Sequence, residues 1–144
     1  MLLETALMCL AMNVYHEARS EPVAGQIAVA QVVINRVNDK RFPNTVCEVV
    51  KEGSTDSNGI PKKHLCQFSW YCDGADDDPN LESQPWKDSL VVAKSVLDGI
   101  TVEIVGKATH YHATSVLPYW AKNNKYKRVA KIDKHIFYRW INRK

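Results

Sequence analysis

The first twenty residues carry a regular pattern of apolar and polar positions. Apolar side chains recur at intervals of three and four residues, at Leu3, Ala6, Leu7, Leu10 and Val14. This spacing predicts a helix from about Leu2 to Arg19 with one buried face. The same ladder reaches Asn13 and Glu17, so Glu17 is expected on the core-facing side, one turn past the last apolar residue. The helix must end soon afterwards, because Glu21-Pro22 disfavours a helical backbone at position 21.

A carboxyl group at the position of Glu17 is expected to be half-buried near a helix C-terminus. Desolvation and the negative end of the helix macrodipole both disfavour its ionisation, so its pKa is expected to be raised. A raised pKa is what a general acid needs near neutral pH. The alternative interpretation is an exposed glutamate in a frayed last turn.

Three further helices and several shorter extended segments follow. Helices are predicted from Pro22 to Val37, from Val46 to Lys51, and from Ser83 or Gln84 to Leu97. The polar segment 52–63 is expected to be a surface loop. Strands or extended pieces are predicted at Val102–Val105, Thr109–Ala113, Lys127–Ile132 and Ile136–Trp140. Helices first and strands later predict one α+β domain over residues 1–144, mainly helical with a small β element.

Composition and charge narrow the class of protein. The chain has 144 residues, 45% apolar and 24% charged, as in ordinary globular proteins. No apolar run approaches the ~20 residues that cross a bilayer, and the N-terminus lacks the cationic start of a signal peptide. The net charge of +3 is uneven, with nine Lys or Arg and one acid between Lys122 and Lys144. This segment is either a solvated basic face or a surface for a polyanion such as wall polymer, nucleic acid or anionic lipid.

The four cysteines fit neither a zinc ribbon nor a Cys-x-x-Cys redox motif. Cys9, inside the first predicted helix, is expected to be a packed free thiol. A disulfide among Cys47, Cys66 and Cys72 is expected only if the protein matures in an oxidising compartment.

Four clusters carry the candidate chemistry: Tyr15-His16-Glu17-Ala18-Arg19, Gln67-Phe68-Ser69, His110-Tyr111-His112 and His135-Ile136-Phe137-Tyr138. This set, in this order, resembles the cell-wall hydrolase family of the spore-cortex-lytic (SleB) type. The run from Tyr15 to Pro22, followed by Gly25–Ala30 and Val33–Val37, is similar to that family's signature almost residue for residue.

The resemblance implies a lysozyme-like fold and cleavage of the β-1,4 bond between N-acetylmuramic acid and N-acetylglucosamine. Family members act as lytic transglycosylases, which implies that Glu17 protonates the leaving oxygen and then accepts the proton of the sugar's own hydroxyl. No cofactor or metal is expected. A muramidase that uses the same Glu17 is the first alternative, and it needs a second carboxylate about 5 to 9 Å away. Asp73 is the best candidate for that carboxylate.

Five residues are expected to contact substrate around Glu17: Gln67, Ser69, Trp70, Tyr111 and His112. Gln67 and Ser69 would hold sugar amides and hydroxyls, or else make turn hydrogen bonds. Trp70 would stack on a sugar face, or else be buried. Tyr111 is expected to line the cleft beside Glu17, whereas His112 is also compatible with a core position.

Two other classes of function remain as alternatives. A zinc-dependent amidase would use His110, His112, His135 and Glu17, because a His-x-His pair on a strand places both side chains on one face. A binding module without enzymatic activity would use the basic C-terminal segment.

The expected partner is the glycan strand of peptidoglycan, with no nucleic acid and no membrane insertion, bound by a monomer. A stand-alone catalytic domain without an export signal is similar to a phage endolysin. Such a protein would pass from the host cytoplasm to the periplasm and cell wall through a holin.

Overall fold

The computed structural model describes residues 4–55, 57–58 and 61–141. Its helices are α1 (Ala6–Ala18), α2 (Val23–Val37), α3 (Val46–Val50) and α4 (Gln84–Leu97). All four predicted helices are therefore confirmed. The helix α1 begins at Ala6 because the Thr5 side chain caps it, accepting a hydrogen bond from the Met8 N–H at 3.2 Å.

The strands form two small antiparallel sheets. The first pairs β1 (Gly53–Thr55) with β2 (Pro61–Cys66). The second contains β3 (His110–Ala113), β4 (Tyr126–Ile132) and β5 (His135–Trp140) in the order β3-β5-β4. The central strand β5 pairs Phe137 with Tyr111, while β3 and β4 are the two edges.

Two sequence predictions were wrong. The polar segment 52–63 was expected to be a loop, yet it holds β1 and the first residues of β2. Gly53 permits this close pairing, since a Cβ there would lie 2.7 Å from the Cα of Cys66. The expected strand Val102–Val105 contains instead a 3-10 turn, Glu103–Val105. Its flanking backbone groups bond to the Gln31 side chain rather than to a neighbouring strand.

The core consists of two clusters that meet at Tyr111. One lies among α1, α2, α3 and α4, and it includes Leu10, Val14, Val33 and Val49. The other lies between α2 and the three-stranded sheet, around Val29 and Phe137. The Tyr111 ring packs against both clusters, which places β3 directly beside the C-terminal turn of α1. No described helix is both long enough and apolar enough to cross a membrane.

Two disulfides connect the helices and loops. Cys9 of α1 bonds to Cys47 of α3, with their Cα atoms 5.2 Å apart. The prediction of a free thiol at Cys9 was wrong, because the packing of α3 against α1 brings the two residues within bonding range. Cys66 bonds to Cys72, which confirms a disulfide within the predicted group. This bond closes the segment that carries Gln67, Ser69 and Trp70.

Candidate active site

The last turn of α1 and the strand β3 bring one carboxyl group and one phenol together. The Tyr111 hydroxyl donates a hydrogen bond of 2.6 Å to Oε1 of Glu17. Glu17 is half-buried, and its Oε2 makes no hydrogen bond with a described residue. Tyr111 therefore lies beside Glu17, as expected from the sequence. Its contact with substrate stays a prediction.

Burial raises the pKa of the Glu17 carboxyl above its ordinary value. The hydrogen bond from Tyr111 and the nearby His135 and Arg36 lower this pKa, but they do not cancel the effect of burial. The predicted direction is thus confirmed, with desolvation as the main cause. Burial and the adjacent Glu17 also raise the pKa of Tyr111 well above its usual value, so its hydroxyl remains a donor.

Asn13, one turn before Glu17 on α1, connects the Glu17–Tyr111 pair to Trp70. Its Oδ1 accepts a hydrogen bond of 2.8 Å from the Trp70 indole. Its fully buried Nδ2 lies beside the Tyr111 hydroxyl and tends to lower the pKa of that phenol, without a hydrogen bond of good geometry. The apolar ladder of α1 passes through Asn13, and a buried amide on such a face was the signal for this role.

Trp70 packs inside the protein. The residue is 6% exposed, and its ring stacks on His16, with ring centroids 4.6 Å apart. The expectation that Trp70 offers a platform to sugar was wrong, because His16 and the core cover its ring. The Nε2 of His16 bonds in turn to the backbone oxygen of Asp77 at 2.7 Å. Burial lowers the pKa of His16, which favours a neutral ring that donates this bond.

Behind Tyr111 lies a buried carboxylate, Glu21, which was not among the predicted site residues. Glu21 is 8% exposed, and its Oε1 accepts a hydrogen bond of 2.8 Å from Nδ1 of His135. The backbone N–H of Lys134 approaches the same oxygen at 3.3 Å. The His135 ring stands edge-on to Tyr111, with centroids 5.3 Å apart. Glu21 therefore fixes His135 and the wall behind Tyr111.

A buried arginine fixes the start of β3. Nε of Arg36 donates a hydrogen bond of 2.7 Å to the carbonyl oxygen of Thr109, and the guanidinium lies between the rings of Phe42 and Phe68. Asn35 donates to the carbonyl oxygens of Gly106 and Ala108 in the same connection. These bonds hold the segment that leads into Tyr111.

Gln67 and Ser69 lie in the aromatic loop (residues 66–73) and are not hydrogen-bonded to Glu17. Gln67 is exposed, and its backbone N–H bonds to the carbonyl oxygen of Glu52. Ser69 is exposed at the start of a 3-10 turn, Ser69–Cys72. Among the described residues, no hydrogen bond joins either side chain to Glu17. Their binding of sugar stays a prediction.

The histidines of β3 point away from Glu17. His112 is 7% exposed and bonds through Nε2 to the Tyr138 hydroxyl at 2.9 Å. Both His110 and His112 pack on Trp120, whereas His135 packs on Tyr111 at the opposite face of the sheet. His112 therefore lies in the core, and its expected contact with substrate was wrong. The four candidate zinc ligands are divided between two faces, and the described residues contain no cluster that would hold a metal.

The acidic segment 73–78 lies against α1 through His16. Burial and the neighbouring Asp73, Asp78 and Asp76 raise the pKa of Asp77 to about 6. The carboxylates of Asp73 and Asp76 accept bonds from backbone N–H groups two residues ahead. These acids therefore border the turn that carries Glu17 without a described bond to it.

The fold agrees with that of two solved SleB catalytic domains. The chain superposes on the catalytic domain of the germination-specific lytic transglycosylase SleB from Bacillus anthracis with a TM-score of 0.68. The two are 30% identical, and the match covers 93% of each chain. The catalytic domain of Bacillus cereus SleB matches with a TM-score of 0.66 and 27% identity, over 93% of this chain and 89% of that one. The predicted lysozyme-like α+β fold is confirmed.

The model of the cell wall hydrolase family matches residues 20–138. The chain therefore belongs to the cell wall hydrolase family. The spore cortex-lytic enzyme of Bacillus subtilis is 54% identical over 43 residues, which cover 30% of this chain and 14% of that protein. The corresponding enzyme of Bacillus cereus is 50% identical over 46 residues, 32% of this chain and 18% of the relative. The chain thus matches less than a fifth of the length of these relatives.

Proposed function

We propose that this protein cleaves the β-1,4 bond between N-acetylmuramic acid and N-acetylglucosamine in peptidoglycan, acting as a lytic transglycosylase. The observation that carries the proposal is the setting of Glu17, a half-buried carboxyl with a raised pKa, bonded to Tyr111. The family match and the likeness to the SleB catalytic domains support the same substrate.

In the first step, Glu17 donates its proton to the glycosidic oxygen as the bond from that oxygen to the anomeric carbon breaks. The Tyr111 hydroxyl occupies Oε1, so Oε2 is the atom that faces the leaving group. The negative charge that develops on Glu17 is stabilised by this hydrogen bond and by the nearby Arg36 and His135.

In the second step, the ionised Glu17 accepts the proton of the muramic acid 6-hydroxyl, whose oxygen bonds to the anomeric carbon. The product is a 1,6-anhydro sugar, water is not consumed, and Glu17 is protonated again. Because the attacking hydroxyl belongs to the same sugar, proximity replaces the activation of water by a second carboxylate.

The charged neighbours of Glu17 support a mechanism with one carboxyl group. Among the residues that the structure describes, those that act on its pKa through their charge are His135 and Arg36, and both lower it. A second carboxylate at about 5 to 9 Å, as in hydrolytic glycosidases, would raise it instead. Glu21 is buried and bonded to His135, so it is not available to activate water.

Hydrolysis by a muramidase is the second candidate. The acidic segment 73–78 favours it, because His16 binds the backbone of Asp77 next to the turn of Glu17. Asp77, with its pKa raised to about 6, and Asp73 are the carboxylates to test as bases.

Digestion of purified peptidoglycan, followed by mass spectrometry of the fragments, tests the proposal. We expect cleavage after muramic acid, with product ends one water lighter than reducing muramic acid. Peptide fragments with intact glycan strands would instead indicate an amidase and would refute the assignment.

The proposed site of action is the wall, reached from the host cytoplasm as by a phage endolysin. The two disulfides support an oxidising destination, since such bonds persist outside the cytoplasm. Expression in bacterial cytoplasm should leave cells intact until a holin permeabilises the inner membrane. Lysis without permeabilisation would contradict this route.

A further inference from the structure

A cavity of about 470 Å³ lies between the C-terminal end of α2, the end of β5 and the segment before β3. Its lining includes Asn35, Asn38, Lys107, Thr109, Arg139 and Trp140, and Glu17 does not belong to it. Thr109 precedes Tyr111 by two residues, so it lies about 7 Å from Tyr111 along the strand direction. The cavity is therefore close to the candidate active site but separate from it.

The charge of this cavity is positive. The two carboxylate oxygens of Asp39 bond to the Arg41 guanidinium at 3.0 and 2.7 Å, so these two charges neutralise each other. Lys107 and Arg139 are both exposed, and neither lies within ion-pair distance of a described carboxylate, although Arg139 is close enough to lower the pKa of Asp39. Two positive charges thus face the cavity together with the amides of Asn35 and Asn38.

A second cation stands directly opposite Arg139. The register of β4 and β5 pairs Lys127 with Arg139, and directly opposed residues of antiparallel strands lie on the same face. Like charges in this position destabilise a sheet. Lysine on an edge strand such as β4 prevents pairing with other molecules, but that role does not require a cation opposite a cation.

The pair belongs to a longer set of exposed cations along the edge strand β4 and its ends, here called the basic face: Lys122, Lys125, Lys127, Arg128, Lys131, Lys134 and Arg139. Lys127 and Arg139 lie on one side of the sheet, whereas Arg128 and Lys131, which pair with Tyr138 and Ile136, lie on the other side. None of these cations forms an ion pair within the described part of the chain. Residues 1–121, by contrast, contain ten Lys or Arg and fifteen Asp or Glu. The basic face follows β4, whose seven residues extend over about 23 Å. A basic surface of this length fits a polymer that carries repeated negative charges better than a ligand that carries a single carboxylate.

We propose that the basic face and the adjoining cavity bind a phosphodiester polymer of the cell wall. Phosphate oxygens accept charge-assisted hydrogen bonds from Lys and Arg, and one phosphate between Lys127 and Arg139 would relieve their repulsion. The inference rests on the proposed function only in placing the enzyme at the wall. Binding there would hold the enzyme beside its glycan substrate, because Thr109 of the cavity lies two residues before Tyr111, which bonds to Glu17.

Retention on purified walls tests this binding without turnover. The protein carries Glu17→Gln, so the wall stays intact, and bound protein is measured by sedimentation over a range of salt concentrations. Native walls are compared with walls from which mild acid has removed the phosphodiester polymer. The test variant adds Lys127→Gln and Arg139→Gln, and the matched control adds Lys62→Gln and Lys87→Gln, two exposed lysines outside the basic face.

We expect retention of the parent protein to be at least tenfold lower on stripped walls than on native walls. Retention of the test variant on native walls should be lower than that of the parent by the same factor. The control should behave like its parent. The test variant should melt at the same or a higher temperature, since the opposed cations are gone. If Lys127 and Arg139 served only to stabilise the fold, their removal would lower the melting temperature instead of lowering retention alone.

Equal retention on native and stripped walls would overturn the proposal. Unchanged retention of the test variant, with no sedimentation of the variant when wall is absent, would also overturn it. Tighter binding to duplex DNA than to native walls would assign the basic face to nucleic acid instead. Because retention is measured without turnover, each of these results is distinct from a failure of the proposed reaction.

Discussion

Two regions contact α1, the helix that carries Glu17, and they are built differently. On one side, α1 meets β3, and Glu17, Tyr111 and Asn13 are packed together with a direct hydrogen bond of 2.6 Å. On the other side, the aromatic loop (residues 66–73) exposes Gln67 and Ser69 and is closed by the Cys66–Cys72 disulfide. Burial fixes the side chains of the first region, whereas the Cys66–Cys72 disulfide fixes the backbone of the second.

This difference suits the α1–β3 region to proton transfer and the aromatic loop to contact with the substrate. A shifted pKa requires a group removed from water, and the contact of α1 with β3 supplies that environment for Glu17. Exposed side chains such as Gln67 and Ser69 keep their ordinary chemistry and are suited to hydrogen bonds with sugar. Changes in the first region should therefore alter the rate of reaction, and changes in the second should alter binding.

The largest effect is expected from Glu17→Gln. The amide keeps the volume and accepts the Tyr111 hydrogen bond but cannot donate the proton, so turnover of peptidoglycan should fall by about 10³-fold or more. Glu103→Gln, at an exposed glutamate, is the matched control. A folded Glu17→Gln variant with turnover close to wild type would disprove the assignment of the acid.

The same variant should change how stability depends on pH. The pKa of Glu17 is higher in the folded than in the unfolded protein, so its protonated form stabilises the fold at low pH. That contribution is lost as the pH rises through the folded pKa. Melting curves of Glu17→Gln should lack this component, and a pH profile identical to wild type would contradict the raised pKa.

The two disulfides should differ in their contribution to stability. Cys9–Cys47 closes 38 residues and Cys66–Cys72 closes six, so chain entropy predicts losses of about 4 and about 2 kcal/mol on removal. Cys9→Ala with Cys47→Ala, and Cys66→Ala with Cys72→Ala, are compared by urea unfolding. Loss of the shorter ring should also raise KM, because it loosens Gln67 and Ser69. Equal stability with and without reductant would show free thiols in solution.

A smaller effect is expected from Tyr111→Phe. Removal of a hydrogen bond to a charged group costs about 1.5–3 kcal/mol, which corresponds to roughly a 10- to 150-fold loss in kcat. Since that bond lowers the pKa of Glu17, its loss should move the alkaline limb of the pH–rate profile to higher pH. A limb that moves to lower pH would show that Tyr111 acts on Glu17 differently.

The smallest effects are expected in the aromatic loop. Gln67→Ala and Ser69→Ala should each raise KM about 2- to 12-fold, the range of one neutral hydrogen bond, with kcat nearly unchanged. Steady-state rates on soluble glycan fragments measure both constants. A large fall in kcat would show that this loop takes part in the reaction and would remove the distinction between the two regions.

Periodicity was sufficient to predict the helical half and the position of Glu17. The apolar ladder of α1 continues through Asn13 to Glu17, and the packing of that face against β3 follows from it. Tyr111 was expected beside Glu17, and the hydrogen bond between them confirms that position. The helix and the position of Glu17 depend on local spacing, which a single sequence contains. Tyr111 lies 94 residues from Glu17, and its place beside Glu17 was expected only alongside the family resemblance.

Contacts between distant segments were not predictable in the same way. Cys9 lies on an apolar helix face and has the pattern of a packed thiol, but the approach of α3 decides its partner. Trp70 has the composition of a sugar platform, and only the stacking of His16 shows that its ring is covered. Glu21 marked the end of α1, and its bond to His135 spans 114 residues of sequence.

Digestion of peptidoglycan in ¹⁸O-labelled water tests the central claim most directly, because it shows whether water takes part in the cleavage. The account predicts 1,6-anhydro-muramic acid ends without label, formed by Glu17 alone. Reducing muramic acid ends that carry ¹⁸O would show a hydrolase with a second carboxylate, to be sought first at Asp73 and Asp77.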